Sequence, residues 1–161
     1  MTEQKLNIRK AQKEDAALVL EFIKKIAEYE KMSDQVIATV ETLEEFVFDK
    51  GAAEVLIAEY EGKAVGFALY FENFSTFKGR TGLYLEDLFV DKDMRGLGIG
   101  KKLFQAVAAE ADRRGCPRME WTCLDWNQPS IDFYHYMGAF PMSEWTTYRL
   151  ADEKIREATE K

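Results

Sequence analysis

Apolar and polar positions along the chain fall into blocks, and each block predicts an element. LNIRKA, residues 6–11, reads as a short strand. Between Glu14 and Glu30, apolar residues at Ala17, Leu18, Leu20, Ile23, Ile26 and Ala27 have the spacing of one helix face. Thr39–Phe48 predicts a second, shorter helix, with Thr42 and Glu45 offering a capping box. AAEVLIAEY and KAVGFALYFEN, joined at Glu61-Gly62, predict a hairpin of two strands. Phe74 to Gly82 reads as a loop, TGLYLEDLFV as a strand, and Gly98 to Arg114 as a helix stopped at Gly115. RMEWTCLDW predicts another strand, and Pro129 to Met137 a helix that proline starts and Gly138 stops. WTTYRL predicts a last strand, and residues 151–161 form a polar tail for which helix and coil both stay open.

That order is α/β of the α+β type, with a central mixed, mostly antiparallel sheet flanked by helices. A doubly wound parallel sheet does not place a hairpin and a third adjacent strand before its main crossover. With 161 residues, 47% of them hydrophobic, and no Pro/Gly/Ser-rich linker, the chain predicts a single domain over 1–161, its core within 6–150. The net charge of −7 argues against nucleic acid or an anionic membrane surface as partner and favours a cationic one. The start, MTEQKLNIRKAQKED, has no apolar core of a signal segment, and no run approaches the ~18–20 apolar residues of a membrane span. A soluble, cytoplasmic protein is expected. Cys116 and Cys123 lack CxxC spacing or a Cys/His pair nearby, so free thiols and no metal are expected; the lone His135 excludes any two-histidine site.

The strongest local signal lies between Leu83 and Phe104, LYLEDLFVDKDMRGLGIGKKLF. Three glycines spaced two apart join a strand to a helix. A helix N-terminus presents unpaired N–H groups and about half a positive charge, and glycine lets the backbone approach an anion closely. Gly96, Leu97, Gly98, Ile99, Gly100 and Lys101 can present amides to a phosphate or pyrophosphate, with Arg95, Lys101 and Lys102 adding local cations. The run is no P-loop, since GLGIGKK lacks both the spacing and the hydroxyl. Nor is it the dinucleotide fingerprint: the spacing is GxGxG, and antiparallel strands precede it.

RGLGIG after a strand ending in Val90 resembles the acetyl-CoA signature of the GNAT N-acetyltransferase superfamily, and the whole element order is similar. YEKMSDQV, LYLEDLFV and LDWNQPSIDFYHYMGA resemble the diamine (spermidine/spermine) acetyltransferases and their thialysine-acetylating relatives, over about Leu6 to Leu150. The resemblance implies the GNAT fold, acetyl-CoA as co-substrate, a small amine as acceptor and a homodimer. It implies that the backbone of Leu88, Phe89 and Val90, together with the turn and Asn127 to Ser130, binds the cofactor. Asn127 and Ser130 also open the last helix, so capping is a second role for them.

Acetyl transfer requires that the amine lose a proton, since an alkylammonium of pKa ~10 has no lone pair at neutral pH. It also requires a donor for the oxyanion and a proton for the departing thiolate. By resemblance Tyr134 is the general acid, the alternative being a core aromatic. Glu86 is the candidate base, because a carboxylate inside an apolar strand is costly without a task; the alternative is a salt bridge to a buried arginine. On an ideal strand Glu86 and Asp87 face opposite sides, leaving one for proton removal and the other for substrate charge or structure. Tyr29 and Glu30, then Glu120, Trp121 and Thr122, then Glu144 match the family's substrate contacts, and acids with aromatics suit a polyamine. Where the animal enzymes offer an acid before the LYLED strand, this chain has Ser75 followed by Lys78 and Arg80. A lysine-like amino acid, its carboxylate meeting one of those cations, therefore fits as well. A protein amine as acceptor, a non-catalytic acetyl-CoA-binding module and a nucleotide-binding protein are the remaining readings.

Overall fold

The computed structural model describes residues 5–161. It divides into two compact units, one running to Thr122 and one from Cys123 to Lys161. The first holds β1 (Leu6–Lys10), β2 (Glu54–Tyr60), β3 (Lys63–Ser75), β4 (Arg80–Val90) and β5 (Met119–Glu120). They form one sheet in the order β1-β2-β3-β4-β5; β1 to β4 pair antiparallel and β5 joins β4 in parallel. The mixed, mostly antiparallel sheet is thus the one the pattern predicts. Helices α1 (Ala16–Tyr29), α2 (Val40–Leu43, continuing as a π-helical turn over Glu44–Asp49) and α3 (Ile99–Arg113) complete the unit.

Val19 and Phe22 of α1 pack with Ile57 of β2, Phe67 and Leu69 of β3, and Phe89 of β4 in one buried cluster. Phe22 stacks on Phe67 with ring centroids 5.4 Å apart, and burying each such ring contributes roughly 1.5–3 kcal/mol. The deepest line of α1 is Ala16, Val19 and Phe22, while the apolar residues that define the predicted face, among them Leu18, Leu20, Ile23 and Ile26, are partly buried beside it. Helix α3 lies against β3 and β4 and buries Leu103 and Val107 completely.

Four local expectations are corrected. The expected loop from Phe74 to Gly82 is mostly strand: Asn73 pairs with Gly82 and Ser75 with Arg80, so only residues 76–79 turn. Gly82 is there for space, since a Cβ would stand 2.9 Å from both the Arg118 carbonyl and Asn73 Oδ1. The second helix is capped by Thr39, not Thr42. Thr39 Oγ1 accepts from the Thr42 amide at 3.1 Å, and Thr42 Oγ1 accepts from the Thr39 amide at 2.9 Å. RMEWTCLDW is strand only at Met119 and Glu120, where it pairs with Leu83 and Tyr84. WTTYRL forms no strand, because a strand exists through its ladder and the described residues of the second unit contain no other strand to supply one.

The second unit carries α4 (Gln128–Tyr136), capped by Asn127 and followed by Gly138 at φ +94°, and α5 (Glu153–Ala158) in the polar tail. Both cysteines are free thiols. Among the described residues no helix is long and apolar enough to cross a membrane.

Candidate active site

The end of β4 leads through a 3-10 turn (Lys92–Met94) and Arg95 into the glycine turn. Gly96 and Gly98 adopt φ of +86° and +80°, the left-handed region that favours glycine. Gly98 is the N-cap of α3 and has no side chain to cap with, and the first intrahelical bond runs from the Lys102 amide to the Gly98 carbonyl at 3.0 Å. The amides of Ile99 and Gly100 precede that bond and stand at the helix start, where the first N–H groups have no carbonyl within the helix to meet. Gly100 differs from its neighbours: its φ is not positive, and a Cβ would meet Val90 Cγ2 at an ordinary 3.7 Å. Alanine would fit there and favour the helix, so the protein alone does not explain this glycine. A phosphate group held on the turn would explain it.

Arg95 is already engaged. Its Nε donates to the Val90 carbonyl at 3.0 Å, and its guanidinium lies 5.0 Å from the Tyr29 ring and 5.4 Å from that of Phe89. It thereby ties the entrance of the turn to the strand end and to the last residue of α1. Because β5 pairs with β4 only at Leu83 and Tyr84, no ladder with β5 reaches Leu88, Phe89 and Val90. A pseudo-peptide such as a pantetheine arm requires main chain of that kind. The orphan amides, Gly100 and this edge all fit acetyl-CoA.

Between Leu69 and Tyr70 the β3–β4 register shifts: Leu69 pairs with Asp87 and Tyr70 with Leu85, so Glu86 is the extra residue of a β-bulge. Leu69 belongs to the cluster under α1. Its opposite number Asp87 is therefore turned to the α1 face, and Leu85, paired with Tyr70, to the other. The ideal alternation assumed from the sequence fails at this point. Glu86 is exposed and Asp87 partly buried. Burial, and after it the charges of Glu86 and Glu30, pushes the Asp87 carboxyl up to about 7. Glu30, just past the end of α1, is raised by burial and then by Glu86. Three carboxylates from two elements thus repel one another in one place.

Glu120 is ion-paired with Arg118 at 3.2 Å, Trp121 packs edge-on against Phe104 at 5.2 Å, and Thr122 is exposed. Arg80 lies six residues before Glu86, about 20 Å along the strand, and its guanidinium sits against Gly115. That is too far for the carboxylate of an amino acid whose amine reaches Glu86. In the second unit, Asn127 Oδ1 accepts from the Ser130 amide at 3.4 Å, Tyr134 is partly buried with its ring 5.7 Å from that of Phe133, and Glu144 is exposed. Sequence reasoning missed a groove of about 870 Å³ where Tyr29, Phe89 and Arg95 meet Lys25, Lys63 and Lys92. Its cations come from separate segments, and no motif announces them. Among the described residues no group of three or more histidines, cysteines and acids could hold a metal ion.

The model of the acetyltransferase (GNAT) family matches residues 20–139. The thialysine N-epsilon-acetyltransferase of Bos taurus is 38% identical over 162 residues, covering 93% of this chain and 95% of that protein. The human spermidine/spermine N(1)-acetyltransferase-like protein 1 is 32% identical over 159 residues, 92% of this chain and 23% of that protein. Among solved structures, an integron cassette protein from the mobile metagenome of V. cholerae superposes with a TM-score of 0.80 at 28% identity, covering 98% of this chain and 99% of that one.

Proposed function

This chain belongs to the GNAT acetyltransferase family, and from that premise we propose that it transfers an acetyl group from acetyl-CoA to a primary amine of a diamine or polyamine. The observation that carries the acceptor class is the convergence of Glu30, Glu86 and Asp87. Three mutually repelling carboxylates gain most from a ligand with more than one positive charge. Acetyl-CoA supplies the activated acyl group. The amides of residues 96–101 hold its phosphates and the main chain of Leu88–Val90 its pantetheine arm; the family resemblance adds Asn127 and Ser130 as cofactor contacts. Tyr29, whose ring already accepts the Arg95 guanidinium, offers the cation-binding face expected of a polyamine contact. The same resemblance names Glu120, Trp121, Thr122 and Glu144 as further acceptor contacts. Proton removal from the ammonium falls to the Glu86–Asp87 pair, and Tyr134 donates a proton to the leaving group. The functional particle is a homodimer, a reading that rests on the family resemblance and that light scattering tests.

One observation favours a second acceptor. Relatives named for thialysine match nearly end to end, and Arg95 beside Tyr29 is a cation that could meet an amino acid's carboxylate.

CoA-thiol release from acetyl-CoA should be measured with putrescine, spermidine, spermine, lysine, thialysine and a lysine peptide. Turnover of a diamine or polyamine is expected, with kcat lowered on the order of 100-fold in Tyr134→Phe. Release confined to the lysine-like amino acids would select the second acceptor. CoA binding with no release on any amine would overturn the catalytic reading.

A further inference from the structure

We propose that the groove beside Arg95 is a head-group site, in which Lys63 and Lys92 hold the carboxylate of an amino acid whose side-chain amine reaches Glu30, Glu86 and Asp87. The inference rests on the acetyl-transfer reading above and deepens it: to the diamines it adds a second class of acceptor and the residues that select it. The groove encloses about 870 Å³, inside the range of about 300–1,000 Å³ usual for small-molecule sites. Buried Val65 and Phe89 give it an apolar lining, and the exposed ring of Tyr29 stands beside them.

Charge decides what such a groove accepts. Part of its charge is already neutralised: Lys25 meets Asp91 at 2.9 Å, and Glu61 meets Lys5 at 3.3 Å. Among the described residues no ion pair engages the other lining cations, Lys63, Lys92 and Arg95, or the other lining acids, Glu28 and Asp93. Three cations against two acids suit a ligand that carries a carboxylate and an ammonium on one carbon. Lys63 begins β3 and Lys92 stands in the 3-10 turn after β4. Arg95 already spends its Nε on the Val90 carbonyl, so the two lysines are the anchors.

Reach fixes the length of the acceptor. Asp87 pairs with Leu69 and Phe89 with Phe67; Leu69, Phe67 and Phe89 all belong to the cluster under α1, so Asp87 and Phe89 share a face. Two residues along a strand span about 6.6 Å. The Cα of a lysine-like amino acid lies five bonds from its terminal nitrogen, about 6 Å when extended. The opposite wall makes the same step, since Tyr29 of the groove is followed by Glu30 of the carboxylate cluster. A head group held in the groove therefore delivers its amine to the three carboxylates. A diamine of that length would bring its second ammonium toward three cations instead.

The test compares lysine with cadaverine, which differ by the carboxylate alone, as acceptors for CoA-thiol release. The wild type should turn over lysine. In Lys63→Gln/Lys92→Gln, kcat/KM for lysine should fall on the order of tenfold, through KM with kcat nearly unchanged, while the value for cadaverine holds or rises. No loss for lysine, or an equal loss for both amines, would overturn the assignment. So would a wild type that accepts cadaverine and refuses lysine. A weaker affinity of the variant for CoA, absent for dephospho-CoA, would put the cofactor's phosphate in the groove and overturn it as well. A wild type silent on every amine would instead overturn the reading beneath it. Lysine binding by calorimetry, about tenfold weaker in the double variant, would then still uphold the head-group site.

Discussion

At the scale of single residues, function shows most clearly where the protein's own packing gives no reason for a choice. Gly96 and Gly98 are required by their backbone angles, but Gly100 is not, and its missing Cβ would touch only Val90 at an ordinary distance. Glycine inside a helix costs about 1 kcal/mol against alanine. Gly100→Ala should therefore raise stability by up to about 1 kcal/mol in urea unfolding while weakening CoA at least tenfold by calorimetry. Unchanged CoA affinity would mean that no ligand lies against this residue. The glycine turn was legible in the sequence because three glycines between a strand and a helix have few other uses. The Asp87 environment was not, since a bulge depends on how β3 pairs and leaves no mark in the β4 sequence.

At the scale of elements, one ionic cluster fixes the far end of α3. Arg114 donates to Glu54 of β2 at 2.7 Å, to Glu72 of β3 at 2.9 Å and to Glu110 of α3 at 2.7 Å, and its side chain is only 18% exposed. Hydrogen bonds from Arg113 and Arg114 hold the Glu110 carboxyl down at about 2, and those from Arg114 and Lys10 outweigh burial to lower Glu54. The same anions, after burial, lift the Tyr70 hydroxyl to about 12. Arg114→Ala should cost about 1.5–3 kcal/mol in urea unfolding, as expected for hydrogen bonds to charged groups, and leave the amine KM unchanged. A loss below about 0.5 kcal/mol, the level of an exposed pair, would show that the cluster is ornamental. Strands with strong local patterns, β2 to β4, were legible; the turn from Thr76 to Gly79 and the short β5 were not. Their lengths depend on whether a neighbour supplies hydrogen bonds: β5 meets β4 only at Leu83 and Tyr84, and WTTYRL has no described strand beside it in its own unit.

At the scale of the whole molecule, the two kinds of carboxylate give stability opposite dependences on pH. Asp15, Glu54 and Glu110 are lowered, so what they contribute is complete above the ordinary carboxylate range and is lost as pH falls through it, for Glu110 toward about 2. Asp87 is raised from 3.8 to about 7, and Glu30 moves in the same direction. Between those limits the folded chain keeps a proton on Asp87 that the unfolded chain has released, so stability falls as pH rises from ~4 to ~7. The ligand-free protein should be most stable near pH ~4–5, and its urea midpoint should decline through neutrality. Asp87→Asn should flatten the decline and gain about 0.5–2 kcal/mol at pH 7.5, as substitutions that relieve a functional site commonly do. A diamine should do reversibly what the mutation does permanently. By binding the folded state it adds stability that grows with ligand concentration, and the gain should be larger at pH 7.5 than at pH 5, because only an ionised cluster attracts it. A midpoint that stays flat from pH 4.5 to 7.5, or a diamine effect independent of pH, would show that the three carboxylates do not act as one acceptor for positive charge.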